Sequence, residues 1–430
     1  PHTHPVPAGS ARLSVLSQLL IELLSDDLTT PLAAAGEAGL RWSLAAHPGG
    51  LVAQVIGYSQ RLPLLATDLS RRIADFEPSG ERFEVFRELL TRALRNRCVE
   101  RPLWHAQYAV SHALTQPSVH WQDAFEYASS DACCVEDLCR HTAALRRALF
   151  VELFVHGNCP PDDAIQLGHA WMDSLAAERL SADCAPLPDA LLLPAREPLR
   201  LRHVASDAAE SNSAIELHLQ LAQRPSVEQE ALLLLLSQVA SKEAFHHLRT
   251  QRQLGYVVQC GVRSIGPARG LSVLIQSAVM APPDLEAEIE AWLLQFRRET
   301  LEELTEGAFA EFAAAVASNL ERPPKTLLQE AAPLWCEIVE ARHQWDHDAQ
   351  LAAAVRAAPR SAIVRLFDDH FAADAPLRRM VVSHAFSQAD ATSEAAEAVA
   401  GGGAVAEGGA GAGAAAAAAG PAAASTHSRL

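Results

Sequence analysis

Residues 226–278 confine the fold more tightly than any other stretch of this chain. Pro225 and Ser226, with Gln229 three places after the serine, spell a capping box, in which the two side chains satisfy each other's backbone amides. Apolar residues then recur at helical spacing as far as Leu248, which predicts a helix ending near Arg249. Gly255 permits a tight exit, and residues 256–262 are rich in β-branched and aromatic side chains. Gly266 and Pro267 make a turn, and residues 271–278 alternate again. The expected unit is a buried helix feeding a β-hairpin, with Arg249 at the helix end and Tyr256 opening the first strand.

The remainder reads as helices and short strands around that unit. Residues 13–24 (LSVLSQLLIELL) have helical spacing, and residues 31–38 form a short helix stopped by Gly39. Residues 40–46 and 51–58 make a hairpin about Pro48, Gly49 and Gly50, followed by helices over 63–76 and 81–97. Helical patterning continues to Arg147, and residues 150–156 (FVELFVH) read as a strand closing the unit. Four prolines in residues 184–198 (CAPLPDALLLPAREP) mark a linker, so the predicted domains are 1–185 and 199–386, joined by 186–198.

Residues 199–204 read as a strand. So do residues 214–221, with Ile215, Leu217, Leu219 and Leu221 inward and Glu216, His218 and Gln220 outward. After the opening element, Asp284 is expected to cap a helix to Phe296. Further helices follow over 305–320, 327–341 and 348–371, and a last strand over 379–385. From Ser387 to Leu430 the composition collapses to Ala, Gly and Glu, too poor in large side chains to offset the entropy of ordering, so a disordered tail is predicted.

Composition removes several function classes. The net charge of −17 argues against a nucleic-acid partner, and the longest run of large apolar residues, 232–236, is far short of a membrane span. Eight cysteines without a CxxC pair predict reduced thiols rather than a disulfide frame or zinc cluster. The amino terminus has neither a signal-peptide pattern nor a starting Met, and the chain therefore reads as a fragment.

The two predicted domains share one grammar: helix, Gly, strand, Pro/Gly turn, Gly-Leu, strand, helices, closing strand. Gly39 and Gly50–Leu51 in the first answer to Gly255 and Gly270–Leu271 in the second. Aligned this way, Ala33 and Leu40 stand opposite Arg249 and Tyr256, so only the second copy has a polar pair where the scaffold accepts apolar residues. A helix-terminal Arg and a strand Tyr are ordinary structural residues. Together they could also converge as fixed donors on a carbonyl or oxyanion.

His343 and His347 (HQWDH) have a spacing able to ligate zinc, but without a third ligand they read as surface helix residues. His246 and His247 point to different helix faces. Neither His-Glu-x-x-His nor His-x-x-Glu-His occurs, and no GxSxG, P-loop or dinucleotide fingerprint is present.

The string FHHLRTQRQLGYVVQCG resembles a signature of the insulin-degrading enzyme (insulysin) group of M16 zinc metallopeptidases. The resemblance continues in GLSVLIQSA, PPDLE, FEPSGERFEVFRELL and VELFVHGN, and covers roughly residues 13–385. It implies an α+β fold of two homologous domains, each a mostly antiparallel sheet packed against several helices (M16 peptidase-like, LuxS-metallohydrolase-like). These would be the third domain without its first strands and the fourth domain of a four-domain enzyme that encloses a peptide chamber.

The resemblance also implies that zinc is a cofactor of the complete enzyme, bound by His-x-x-Glu-His in the amino-terminal half, which is the implied partner, whether in the same chain or a separate subunit. Metal ligands in this chain would be none. By motif position, Arg249 and Tyr256 match residues that hold the scissile carbonyl and tetrahedral intermediate, and Phe245 matches an aromatic shaping the substrate-binding pocket. Gln251 and Arg252 depart from the family's usual Lys-Glu. Peptides would be the substrates, and a homodimer is compatible with the sequence. The alternative is a non-catalytic M16-like binding or assembly subunit, which need not keep the Arg/Tyr pair.

Ser428, Arg429 and Leu430 form a conservative variant of the SKL address, so the predicted compartment is the peroxisome, with cytosol next. A reporter ending in these residues that stayed diffuse in the cytosol would remove that assignment.

Overall fold

A computed structural model describes residues 10–47, 50–182 and 189–400, with side chains placed as far as Glu394. The expected targeting tripeptide Ser428–Arg429–Leu430, residues 183–185 of the expected first domain, residues 186–188 of the expected linker and residues 401–430 of the expected tail lie outside the described residues. None of the described helices is long and apolar enough to cross a membrane.

The amino-terminal part begins with α1 (Ala11–Thr29), started by the Ser10 side chain, and α2 (Ala33–Glu37). The hairpin β1 (Arg41–His47) and β2 (Gly50–Ile56) follows, and Trp42, Leu44, Ala53 and Val55 pack onto the α1 core. Next come α3 (Leu62–Asp75), α4 (Gly80–Asn96), α5 (Pro102–Leu114), β3 (Thr115–Gln116), α6 (Trp121–Ser129), α7 (Val135–Arg147), β4 (Ala148–Leu149), α8 (Pro161–Leu175) and β5 (Glu178–Arg179).

The carboxyl-terminal part contains β6 (Asp189–Ala190), β7 (Leu199–Val204), β8 (Ser213–Ala222), α9 (Val227–Ala244), β9 (Val257–Ile265) and β10 (Ala268–Ser277). It continues with α10 (Pro282–Gln295), α11 (Glu306–Leu320), α12 (Leu327–Val339), α13 (His347–Ala357), α14 (Arg360–His370), β11 (Met380–Phe386) and α15 (Gln388–Ala400). Its sheet has the order β7-β11-β8-β10-β9, antiparallel except where β11 runs parallel to β7. Both hydrogen bonds of the Ser226/Gln229 capping box are present. The α9 side chains Leu233, Leu235, Leu236 and Val239 are buried between the sheet and helices α11, α13 and α14. These residues form the buried stripe of the helix, while Gln238, Ser241 and Lys242 are exposed on its other side.

Residues 150–156 do not form the expected closing strand. The corresponding strand β11 pairs with β7 and β8, which precede α9, whereas no described strand precedes α1. Without those partners the segment lies against α12: Phe154 contacts Trp335, and His156 Nε2 sits 3.5 Å from Glu330.

The expected exposure of Glu216, His218 and Gln220 is also corrected. All three are buried, because α5 from the amino-terminal part covers the second face of the sheet. Ala106 packs with Ala214, Leu274 and Ala385, and Val110 and Leu114 pack with Ile265 and Val381. Arg263 ties Glu216 to this interface, whereas both ring nitrogens of buried His218 have no hydrogen-bond partner among the described residues. Arg263 Nε lies 3.0 Å from Glu216 Oε1, and Arg263 Nη2 donates to Gln107 O and Ser111 Oγ at 3.0 and 2.6 Å. Burial outweighs Arg263 and pushes the Glu216 carboxyl up to about 7.

Three boundaries shift for local reasons. Pro359 divides the expected 348–371 helix into α13 and α14. Ala281, followed by Pro282 and Pro283, replaces Asp284 at the start of α10. Gln388–Ala400 is helical where composition alone predicts disorder. Ser387 Oγ accepts from Asp390 N, and Glu394 pairs with Arg202 at 3.0 Å, giving this alanine-rich run a cap and an anchor.

Buried histidines make stability pH-dependent. His105 stacks on His203 with ring centroids 3.8 Å apart, and burial followed by the His203 charge lowers its pKa to about 4. Burial holds His141 at about 4 and His218 at about 3. Between the ordinary pKa of about 6.5 and these values each of the three histidines binds more protons in the unfolded chain, and Glu216, raised to about 7, opposes them as one group against three, so net stability rises with pH. The expected result is a urea midpoint that is steady above about pH 6.5 and falls progressively toward pH 4. Asp137, held near 2 first by Arg12, and Glu286, held near 2 by His384 and Arg200 against its burial, add a loss only below the ordinary carboxylate range. A flat midpoint from pH 7 to 5 would contradict the histidine contribution.

Candidate functional site

At Phe245 the α9 backbone widens into a π-helical turn that runs to Gln251. Such register insertions are rare and concentrate at functional sites. The turn is fixed from inside by Leu248 and Leu254, both in the main core, while Phe245 faces outward and Arg249 is partly exposed. The chain then reverses through Arg252 N–H to His247 O (2.9 Å) and Leu254 N–H to Leu248 O (3.0 Å). Gln253 adopts a left-handed conformation at φ 55°, a small local cost for a residue with a side chain.

Gly255 has a different task from Gly39. Gly39 has φ 79°, a conformation that favours glycine, whereas a Cβ on Gly255 would run into the Gln276 carbonyl on β10. That close pass delivers Tyr256 to the rim of the sheet, where it is 85% exposed.

The result is a three-residue stack. The Arg249 Cζ lies 4.8 Å from the Phe245 ring centroid and 5.2 Å from that of Tyr256. Each cation–π contact at an exposed site contributes about 0.5–1 kcal/mol, enough to orient a side chain without engaging its N–H groups. Among the described residues Arg249 makes no ion pair, so its donors are directed at no protein acceptor. Gln251 instead meets His246, and Arg252 pairs with Glu288 of α10. Neither Gln251 nor Arg252 joins the stack. A cation with free donors beside a phenol can donate to a carbonyl oxygen and hold it as negative charge develops.

The other polar candidates do not assemble. His343 precedes α13 with φ 55°, so the i, i+4 spacing to His347 is not helical. His347 is buried with Nε2 3.3 Å from Glu230, whereas His343 contacts Glu152 at 3.4 Å. Among the described residues no group of three His, Cys, Asp or Glu side chains could hold a metal ion. Sequence reasoning passed over a groove beside the stack, of ≈ 400 Å³, lined by Ser241, Lys242, Phe245, Val258, Gln259 and Cys260. Its one signal was Lys242, one of only two lysines in the chain.

Residues 3–127 match the middle or third domain of peptidase M16, and residues 235–335 match the carboxyl-terminal lobe domain 4 of PqqF-like PQQ synthase. Insulin-degrading enzyme of Homo sapiens is 31% identical over 379 residues, covering 87% of this chain and 36% of that protein. Insulin-degrading enzyme-like 1, peroxisomal, of Arabidopsis thaliana is 25% identical over 373 residues, covering 85% of this chain and 38% of its own. The chain thus spans a little over a third of the length of these curated relatives. The crystal structure of pitrilysin superposes with a TM-score of 0.77 at 20% identity, over 88% of this chain and 39% of that one, which shows a shared α+β fold.

Proposed function

Because this chain belongs to the M16 peptidase family and carries its middle and carboxyl-terminal domains, we propose that it is the half of a zinc metalloendopeptidase that does not bind the metal. In this reading it helps enclose a peptide substrate, and Arg249 and Tyr256 stabilise the scissile carbonyl. The carrying observation is the orientation of Arg249 between the rings of Phe245 and Tyr256 with no carboxylate partner among the described residues. The division into third-domain-like residues 1–185 and fourth-domain-like residues 199–386 is part of the same reading. So is location in the peroxisome or cytosol.

The donor set in the described residues does not fit a zinc site, and in this reading the chain contributes binding and electrostatics. As the substrate carbonyl carbon becomes tetrahedral, its oxygen gains negative charge. The Arg249 N–H groups and the Tyr256 O–H donate to that oxygen more strongly than to the neutral ground state. Orientation by the two rings is paid on folding rather than at the moment of reaction. Phe245 presents an apolar wall to the residue beside the cleaved bond.

The test is reconstitution. Mixing this chain with a separately produced amino-terminal half bearing His-x-x-Glu-His should yield cleavage of an internally quenched peptide, with neither piece active alone. Activity of the zinc-bearing half that is undiminished without this chain would reject the proposal and favour a binding or assembly role.

A further inference from the structure

β9 is the last strand of its sheet, and no described strand pairs with its outer side. Strand edges of this kind are usually blocked by charge, proline or a covering element, because their free N–H and C=O groups accept another chain. Here the edge borders the groove of ≈ 400 Å³ formed between it and the end of α9. By the two-residue period of a strand, Val258 and Cys260 share the face turned toward α9, where both pack on the main core, while Gln259 is exposed on the other face. An open strand edge facing a helix across a groove is the geometry in which extended peptides add to sheets.

Two features specify the occupant. Phe245 lines the groove and also stacks on Arg249, so the groove is continuous with the proposed carbonyl site. Lys242 is exposed on the same wall and, among the described residues, makes no ion pair, although the chain as a whole carries −17. A carboxylate is the complementary partner for that ammonium group.

We propose that the free edge of β9 takes up an extended segment of the peptide substrate as an added strand, with an acidic side chain set against Lys242. This rests on the reading of Arg249 and Tyr256 as substrate contacts, because the added strand would lead from the groove to that pair. Main-chain pairing gives affinity for any extended sequence. Every second side chain enters the groove, and Lys242 favours an acidic one there.

The probe is a short alternating Thr/Val peptide with one central Glu, labelled at its amino end and titrated by fluorescence anisotropy against the full 430-residue chain. Methylating its backbone nitrogens one at a time should weaken binding about tenfold at alternate positions and little at those between, since only every second amide points at β9. Lys242→Glu should weaken the Glu peptide about tenfold and strengthen a peptide with Lys in its place, with an unchanged melting temperature because Lys242 is exposed. No saturable binding, methylation effects without two-residue periodicity, or affinity indifferent to Lys242→Glu would each overturn the proposal. The outcome is separable from that for the carbonyl site. Anisotropy reads the edge without turnover, so edge binding can fail while catalysis still depends on Arg249, and the converse can also be seen.

Discussion

Replacing Arg269 with alanine should destabilise the carboxyl-terminal part by about 3–5 kcal/mol, the usual cost of breaking a buried ion pair from one side. Arg269 enters β10 at a register shift that aims its side chain inward, and it is 5% exposed. Its Nη2 lies 2.6 Å from Glu340, its Nε lies 3.4 Å from Glu230 on the first turn of α9, and its Nη1 donates to Gly266 O at 2.9 Å. Arg342 reaches the same carboxylates and Glu337. Without Arg269, the three largely buried carboxylates Glu230, Glu337 and Glu340 would share Arg342.

For a part of this size such a loss lowers the melting temperature by roughly 10 °C. Adding Glu340→Gln should recover some of it by removing one stranded charge, a coupling that simple loss of packing would not show. A change below about 1 kcal/mol, within the range of exposed pairs, would mean that the network is wet and unimportant. The consequence reaches the site, because Glu230 fastens the start of the helix whose far end carries Arg249.

Local chemistry was legible in the sequence where the determinant is local. The capping box at Ser226, the reversal after Leu248 and the β9–β10 hairpin all follow from neighbouring residues. The widened turn at Phe245–Gln251 did not follow, since helical periodicity cannot distinguish one inserted residue from an ordinary helix end. Non-local packing defeated two readings. Alternation in β8 suggests a wet face, yet α5, about a hundred residues earlier, covers it. Residues 150–156 have every property of a strand except something to pair with.

At the site, the alignment of the two predicted domains distinguishes Arg249 and Tyr256 from Ala33 and Leu40. It could not reveal that Phe245 completes the stack, nor that Gly255 is required by the Gln276 carbonyl rather than by its own backbone angles. The edge of β9 was illegible because strand order depends on the whole sheet.

The second large effect concerns catalysis. If the oriented guanidinium serves the transition state, its removal withdraws a charged donor from a developing oxyanion, a loss of about 10²–10³ in rate for groups of this kind. Tyr256→Phe keeps the ring that orients Arg249 and deletes only the hydroxyl, so its effect should be smaller and confined to the same step. Neither change should alter the melting temperature much, because both side chains project from the turn while Leu248 and Leu254 hold it.

The deciding measurement is steady-state peptide cleavage by the reconstituted enzyme with Arg249→Ala in this chain. Transition-state stabilisation predicts that kcat and kcat/KM fall together by about two to three orders of magnitude while KM changes little. Turnover within about twofold of the parent enzyme, or a rise in KM alone, would contradict the role given to Arg249, the latter leaving it a ground-state binding contact.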